Sequence, residues 1–265
     1  MKVAKIPYLN AAPFYAGWGD DPPFETVSMP PRDLGVQARN GTIDAGLMAA
    51  ADWFREDATF ELIEPELGVA ASEHVRSVVL FSHDSPTRLE GSRVAVTRES
   101  STSRRLAQLL AVGYWEAAIE WISEDELEGD PAEQVDGLLL IGDRALERMA
   151  DESHGGWTRA TDLATEWWTW QALPFVFAVW AVRSALPRRE RARFGGFLSG
   201  SLALGSERLA AIAAEHAGAL GDVETLEAYL RHFTYRLGPD ELAGMRRFRD
   251  LLAENDIQEY QDARA

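Results

Sequence analysis

The 265-residue sequence contains no cysteine, so it can form neither a disulfide framework nor a thiolate nucleophile or ligand. No apolar run approaches the roughly 20 residues of a membrane span. The best candidate, residues 172–181, is too short, is interrupted by Pro174, and reads as a buried strand. Basic residues are scarce: 26 Lys and Arg against 43 Asp and Glu give a net charge of −17, which disfavours nucleic acid and anionic membrane surfaces as partners. The five histidines, His74, His83, His154, His216 and His232, show no HxH or HExxH spacing, so neither a metal nor a cofactor is expected. GxSxG, GxGxxG and Walker A patterns are also missing, which removes support for acyl-serine and nucleotide chemistry. The amino-terminal residues run almost directly into a β-like stretch without a signal-like apolar core, and the expected location is cytoplasmic.

What is present is a well-packed globular composition, 46% apolar with nine Trp and eleven Phe. Its most informative stretch runs from Val94 to Leu110. A β-run, Val94 to Val96, enters a hydroxyl-rich turn, Thr97 to Ser103, which feeds an amphipathic helix carrying Leu106, Leu109 and Leu110. A helix start leaves its first N–H groups without intrahelical partners and places the positive end of the dipole behind them. With Ser100, Thr102 and Ser103 as added donors, this turn suits a small carboxylate, the plain alternative being an ordinary capped helix. Arg98, Arg104 and Arg105 could supply positive potential against the acidic whole.

The remainder reads as α/β. Strands at residues 2–8 and 42–48 flank a helix at 33–40, a βαβ unit that implies a parallel sheet. Further strands are predicted at 60–71, 75–82, 135–141 and 173–182, and helices at 188–200, 207–217, 222–234 and 239–255. A lobe at 1–83 that the carboxyl-terminal helices (183–265) rejoin, with a second lobe inserted at 84–182, places crossings near residues 83 and 182 and a ligand in the cleft. Asn10, between a strand and a turn, can reach that cleft with both donor and acceptor atoms, or simply form an Asx turn. Asp44 and Asp143 lie near strand ends, where ligands gather in parallel sheets, though caps and turns use the same residues.

Five segments then resemble one family in order: Ile6-Pro7-Tyr8-Leu9-Asn10-Ala11-Ala12-Pro13-Phe14, Gly41 to Gly46, Val75 to Ser82, Ser100 to Ser103, and Leu173 to Ala178. They resemble the YLN-x-x-PF, G-x-(I/V)-D, VxSVxLFS, S-x-TS and LPFVFA pieces of the chorismate dehydratases of the futalosine menaquinone route. One departure is the tryptophan-rich loop 160–171, where only Asp162-Leu163 matches. The resemblance implies a periplasmic-binding-protein type II-like fold, two α/β lobes with a hinge and an interlobe cleft, used as a lyase. The implied partner is a small dicarboxylate, chorismate.

The resemblance also implies roles. Ser100, Thr102 and Ser103 would seat the ring carboxylate, with Asp44 and Asp143 as further substrate-binding candidates. Asn10 would orient the departing C4 hydroxyl, and Ser77 would hold the other carboxylate or the ether. The proton would go to the substrate's own enolpyruvyl carboxylate, or to Asp44 or Asp143. Two readings compete: the sister dihydroxynaphthoate synthase, expected to carry a cleft histidine, and a non-catalytic binder of small carboxylates.

Overall fold

The computed structural model describes residues 1–97 and 101–257. The first lobe opens with β1 (Lys2–Lys5), a 3-10 helix (Leu9–Tyr15), β2 (Glu25–Ser28), α1 (Pro31–Arg39) and β3 (Ala45–Ala49). β1 pairs in parallel with both β2 and β3, the arrangement the βαβ pattern predicts. Proline stands at the first position of α1, where a missing N–H costs nothing, and Asp33 sits inside its first turn rather than capping it. α2 (Ala50–Glu56), β4 (Phe60–Leu62) and β5 (Leu67–Ala71) follow.

The chain then enters a second sheet made of β6 (Val78–Ser82), β7 (Arg93–Val96), β8 (Glu120–Ser123), β9 (Gly137–Ile141) and β10 (Arg159–Asp162), in the order β10-β6-β9-β7-β8. Its helices are α3 (Ser101–Leu110), α4 (Gly142–Ala150) and α5 (Leu163–Gln171). The chain returns through β11 (Phe175–Arg183) to the first sheet, ordered β12-β5-β11-β3-β1-β2 with β4 also on β11. α6 (Arg188–Glu207), α7 (Leu209–His216), α8 (Val223–His232), β12 (Thr234–Arg236) and α9 (Pro239–Glu254) complete it. No helix among the described residues is long and apolar enough to cross a membrane.

This topology corrects the expected boundaries. β6 is buried along its whole length because it lies between β10 and β9 in the second sheet, so the outward crossing is at 72–77, not near 83. β11 pairs with β3, β4 and β5, so the return is at 172–174, not near 182. Pattern alone could not choose between the sheets, because a central strand of either one reads as the same apolar run.

The tryptophan-rich segment is β10 and α5, not a loop. Asp162 caps the helix by accepting from Ala164 and Thr165 N–H. Trp167 is fully buried between Phe175 and Phe248, with ring centroids 5.3 and 6.0 Å away. Trp170 stacks on Tyr114 at 5.8 Å. On the first lobe, Trp180 meets Phe14 edge to face at 5.6 Å, tying the central strand to the 3-10 helix.

Candidate active site

Between the two sheets lies a cavity walled by side chains of both lobes. Its apolar walls include Ile6, Leu47, Val69, Ile141 and Phe177, and its polar atoms come from Tyr8, Asn10, Ser77 and the α3 residues Ser101, Thr102 and Ser103. Three segments far apart in sequence thus meet at one place.

Asn10 rides on the 3-10 helix. That helix is fixed from behind by α6: Ser201 Oγ donates to the Phe14 carbonyl at 2.6 Å and accepts from Gly17 N–H at 2.9 Å. Gly205 lets α6 approach so closely that a Cβ there would run into the Pro13 carbonyl. From the other lobe, Asp143 Oδ1 accepts the Leu9 N–H at 3.1 Å.

Ser77 ends the outward crossing. Its carbonyl accepts the Gly142 N–H at 2.8 Å, and Gly142, at φ +60°, lies so close to Tyr8 that a Cβ would sit 3.2 Å from the ring. Arg76 holds a left-handed backbone at φ +61°, sparsely populated for a residue with a side chain. Asp162 compensates by accepting the Val75 and Arg76 N–H groups at 2.8 and 2.5 Å. A backbone under such constraint beside a polar cavity residue is a common mark of function.

The expected anion seat is at the start of α3. Thr102 and Ser103 lie in its first turn and are buried, whereas Ser100 and Arg98 lie outside the described residues. The hydroxyls of this turn also bind the opposite lobe. Thr102 Oγ1 accepts the Ala51 N–H at 3.1 Å, which leaves its own hydrogen as a donor. Ser101 Oγ donates to Asp52 Oδ1 at 2.6 Å, and Arg105 donates to Ser101 Oγ. Burial raises the Asp52 carboxyl above the ordinary range, opposed by the Ser101 hydrogen bond and by Arg105, Arg55 and Arg39.

Two expectations need correction. Asp44 does not wall the cavity: it accepts the Lys2 N–H at 2.8 Å and lies 3.6 Å from Arg183 Nε. Arg105, expected to lend positive potential to the seat, turns instead to Ser101 and lies 4.0 Å from Asp52. Among the described residues, the cavity wall carries no charged side chain. Asp143 borders the site through Leu9 without walling the cavity. The histidines are elsewhere, with His74 and His232 stacked on each other at 3.8 Å. No cluster among the described residues has the make-up of a metal site.

A family model described as menaquinone biosynthesis matches residues 1–254. The chain belongs to the menaquinone-biosynthesis family. Among the family's curated proteins, the chorismate dehydratase of Thermus thermophilus is 31% identical, with 86% of this chain and 87% of that protein covered. Solved structures place the family member in the periplasmic-binding-protein fold. A protein of Archaeoglobus fulgidus superposes with a TM-score of 0.75 at 18% identity, covering 97% of this chain and 98% of that one. The periplasmic aliphatic sulphonate binding protein of Escherichia coli gives 0.66 at 16% identity, covering 97% and 87%. A Candida albicans gene product with the generic periplasmic binding protein fold gives 0.69 at 12% identity, covering 99% and 92%.

Sequence reasoning did not single out Asp52, which joins α2 to the start of α3 in this family member. Asp52 lies in Ala50–Glu56, whose short helix carries no side-chain cap to announce it.

Proposed function

We infer that this protein is a chorismate dehydratase, a hydro-lyase that converts chorismate to 3-[(1-carboxyvinyl)oxy]benzoate and water in menaquinone biosynthesis. The match to the Thermus thermophilus enzyme over most of both chains carries the activity. The meeting of Asn10, Ser77 and the α3 turn at one cavity supports the residue roles.

The reaction removes the hydrogen from the carbon bearing the enolpyruvyl ether and the hydroxyl from its neighbour. Electrons of the breaking C–H bond move into the ring, the C–O bond breaks, and aromatisation drives the loss. Negative charge passing toward the ring carboxylate would be stabilised by the first-turn N–H groups of α3 with Thr102 and Ser103. Among the described residues the wall carries only neutral side chains, and donors held in place before the substrate arrives need no reorganisation. Asn10 would donate to the departing hydroxyl, and Ser77 would hold the second carboxylate or the ether oxygen. The proton would pass to the substrate's own enolpyruvyl carboxylate. Asp143, held beside the site by Leu9, is the protein-side alternative. Asp44 drops out because Arg183 and Lys2 occupy it away from the cavity. A biosynthetic lyase acting on a soluble metabolite fits a cytoplasmic location.

The sister synthase reading is disfavoured because none of the histidines walls the cavity. Incubating the purified protein with chorismate should give a product lighter by one water, with aromatic absorbance rising in step. Intact chorismate after prolonged incubation would overturn the assignment.

A further inference from the structure

The 3-10 helix that carries Asn10 draws its cap from the opposite lobe. Tyr8, at the capping position, has an extended backbone and supplies no side-chain cap. The first turn is closed by the Ala11 N–H donating to the Tyr8 carbonyl at 3.0 Å. The Leu9 N–H, first in the helix, has no partner inside it. Leu9 is fully buried, so this donor needs a partner from the protein. It finds one across the cleft in Asp143 Oδ1, 3.1 Å away.

Asp143 stands in the first turn of α4, where the helix dipole favours a carboxylate. Gly142 sets its place. The Gly142 N–H donates to the Ser77 carbonyl at 2.8 Å, and the missing Cβ lets the Tyr8 ring of the other lobe lie against the turn. Two hydrogen bonds thus lead from Ser77, through Gly142 and Asp143, to Leu9 beside Asn10. The far end of the 3-10 helix is fastened inside its own lobe, by Ser201 at Phe14 and by Tyr15 Oη, which accepts the Ile6 N–H at 2.9 Å. Removing the Asp143 carboxylate would leave the helix seated on α6 and loosen the end that bears Asn10.

We propose that Asp143 is a positioning residue: its carboxylate caps the 3-10 helix across the cleft and so holds Asn10 in register with Ser77 and the α3 turn. Asp143 does not wall the cavity, so it acts through Asn10 rather than on the substrate. The inference rests on the dehydratase reading for its effect on rate, but not for the cap itself. The same carboxylate is the protein-side alternative for the proton, and Asp143→Asn separates the two roles. An amide oxygen still accepts the Leu9 N–H, whereas it takes no proton from the substrate.

The test measures kcat and KM on chorismate for the wild type, Asp143→Ala, Asp143→Asn, Asn10→Ala and the double variant of Asp143→Ala with Asn10→Ala. Asp143→Ala should lower kcat about 10- to 10²-fold, the scale of a misplaced group, while KM stays within about threefold. Asp143→Asn should bring kcat back to within about threefold of the wild type. In the Asn10→Ala background, Asp143→Ala should cost no further rate. A wild-type kcat in Asp143→Ala overturns the proposal, as do independent losses in the double variant. An Asp143→Asn variant as slow as Asp143→Ala assigns the carboxylate to the proton and overturns it too. If the wild type does not convert chorismate, the dehydratase reading fails separately, and amide hydrogen exchange decides the cap. The Leu9 N–H should then exchange at least about tenfold faster in Asp143→Ala than in the wild type or Asp143→Asn, with the Ile6 N–H as an unchanged reference. Equal Leu9 protection in all three overturns the proposal.

Discussion

Ser101 of one lobe donates a 2.6 Å hydrogen bond to Asp52 of the other. Around this contact, Arg105 donates to Ser101, and the Ala51 N–H donates to Thr102. The turn assigned to the substrate carboxylate is therefore also the turn that fastens α3 to α2. Docking of the lobes and completion of the anion seat are one structural event.

Removing Asp52 takes away the acceptor of the Ser101 hydroxyl and a carboxylate 4.0 Å from Arg105, which is 9% exposed. Breaking a buried pair from one side typically costs about 3–5 kcal/mol, so Asp52→Ala should melt well below the wild type. Asp52→Asn retains an acceptor for Ser101 and should recover part of that loss. Urea unfolding of the two variants measures the difference, and equal stabilities would remove the clasp from the account.

Asn10→Ala should lower kcat by about 10²–10³, the usual cost of losing a donor aimed at developing charge. Melting should change little, because the amide is half-buried and the 3-10 helix is held mainly by Ser201. Steady-state turnover of chorismate decides this, and a near-normal kcat would free Asn10 from the departing hydroxyl.

Gly205→Ala tests the scaffold under Asn10. The new methyl would collide with the Pro13 carbonyl, and backbone cannot yield as a side-chain tip can. The variant should lose about 1–3 kcal/mol, a typical overpacking cost, together with activity. Gly200→Ala on the same helix has open space around the new Cβ and should show neither effect.

Stability should fall in mild acid through the His74–His232 stack at the outward crossing. Desolvation lowers the His74 pKa first, then the neighbouring His232, with Arg76 adding and Asp162 and Glu73 opposing. The folded state therefore binds fewer protons than the unfolded chain. The resulting loss begins as pH falls through the unfolded histidine value near about 6.5 and is complete below the lower folded one. Melting temperature followed against pH should show this slope in the wild type and a flatter one in His74→Gln.

The fold class was legible in the sequence because strand and helix periods, together with the resemblance, pointed the same way. The lobe boundaries were not, since Val78–Ser82 and Phe175–Arg183 are central strands whose burial says nothing of which sheet holds them. Asn10, Ser77 and the α3 turn, which meet at the cavity, stood out because they lie in short motifs beside strands and turns. Asp52 was hidden because it lies in a seven-residue helix without a side-chain cap, and its partner Ser101 is distant in sequence. Asp44 misled because a carboxylate at a strand end serves equally to catch a backbone N–H and an arginine.

The described residues that wall the cavity are all uncharged, which has a kinetic meaning. A protein of net charge −17 repels a dianion at long range, whereas the neutral dipoles of the described wall act only at contact. Added salt shortens the reach of the repulsion to about 8 Å at physiological ionic strength without touching the contact dipoles. Capture of the substrate should therefore quicken as salt is raised, the reverse of an enzyme that draws anions in with arginines.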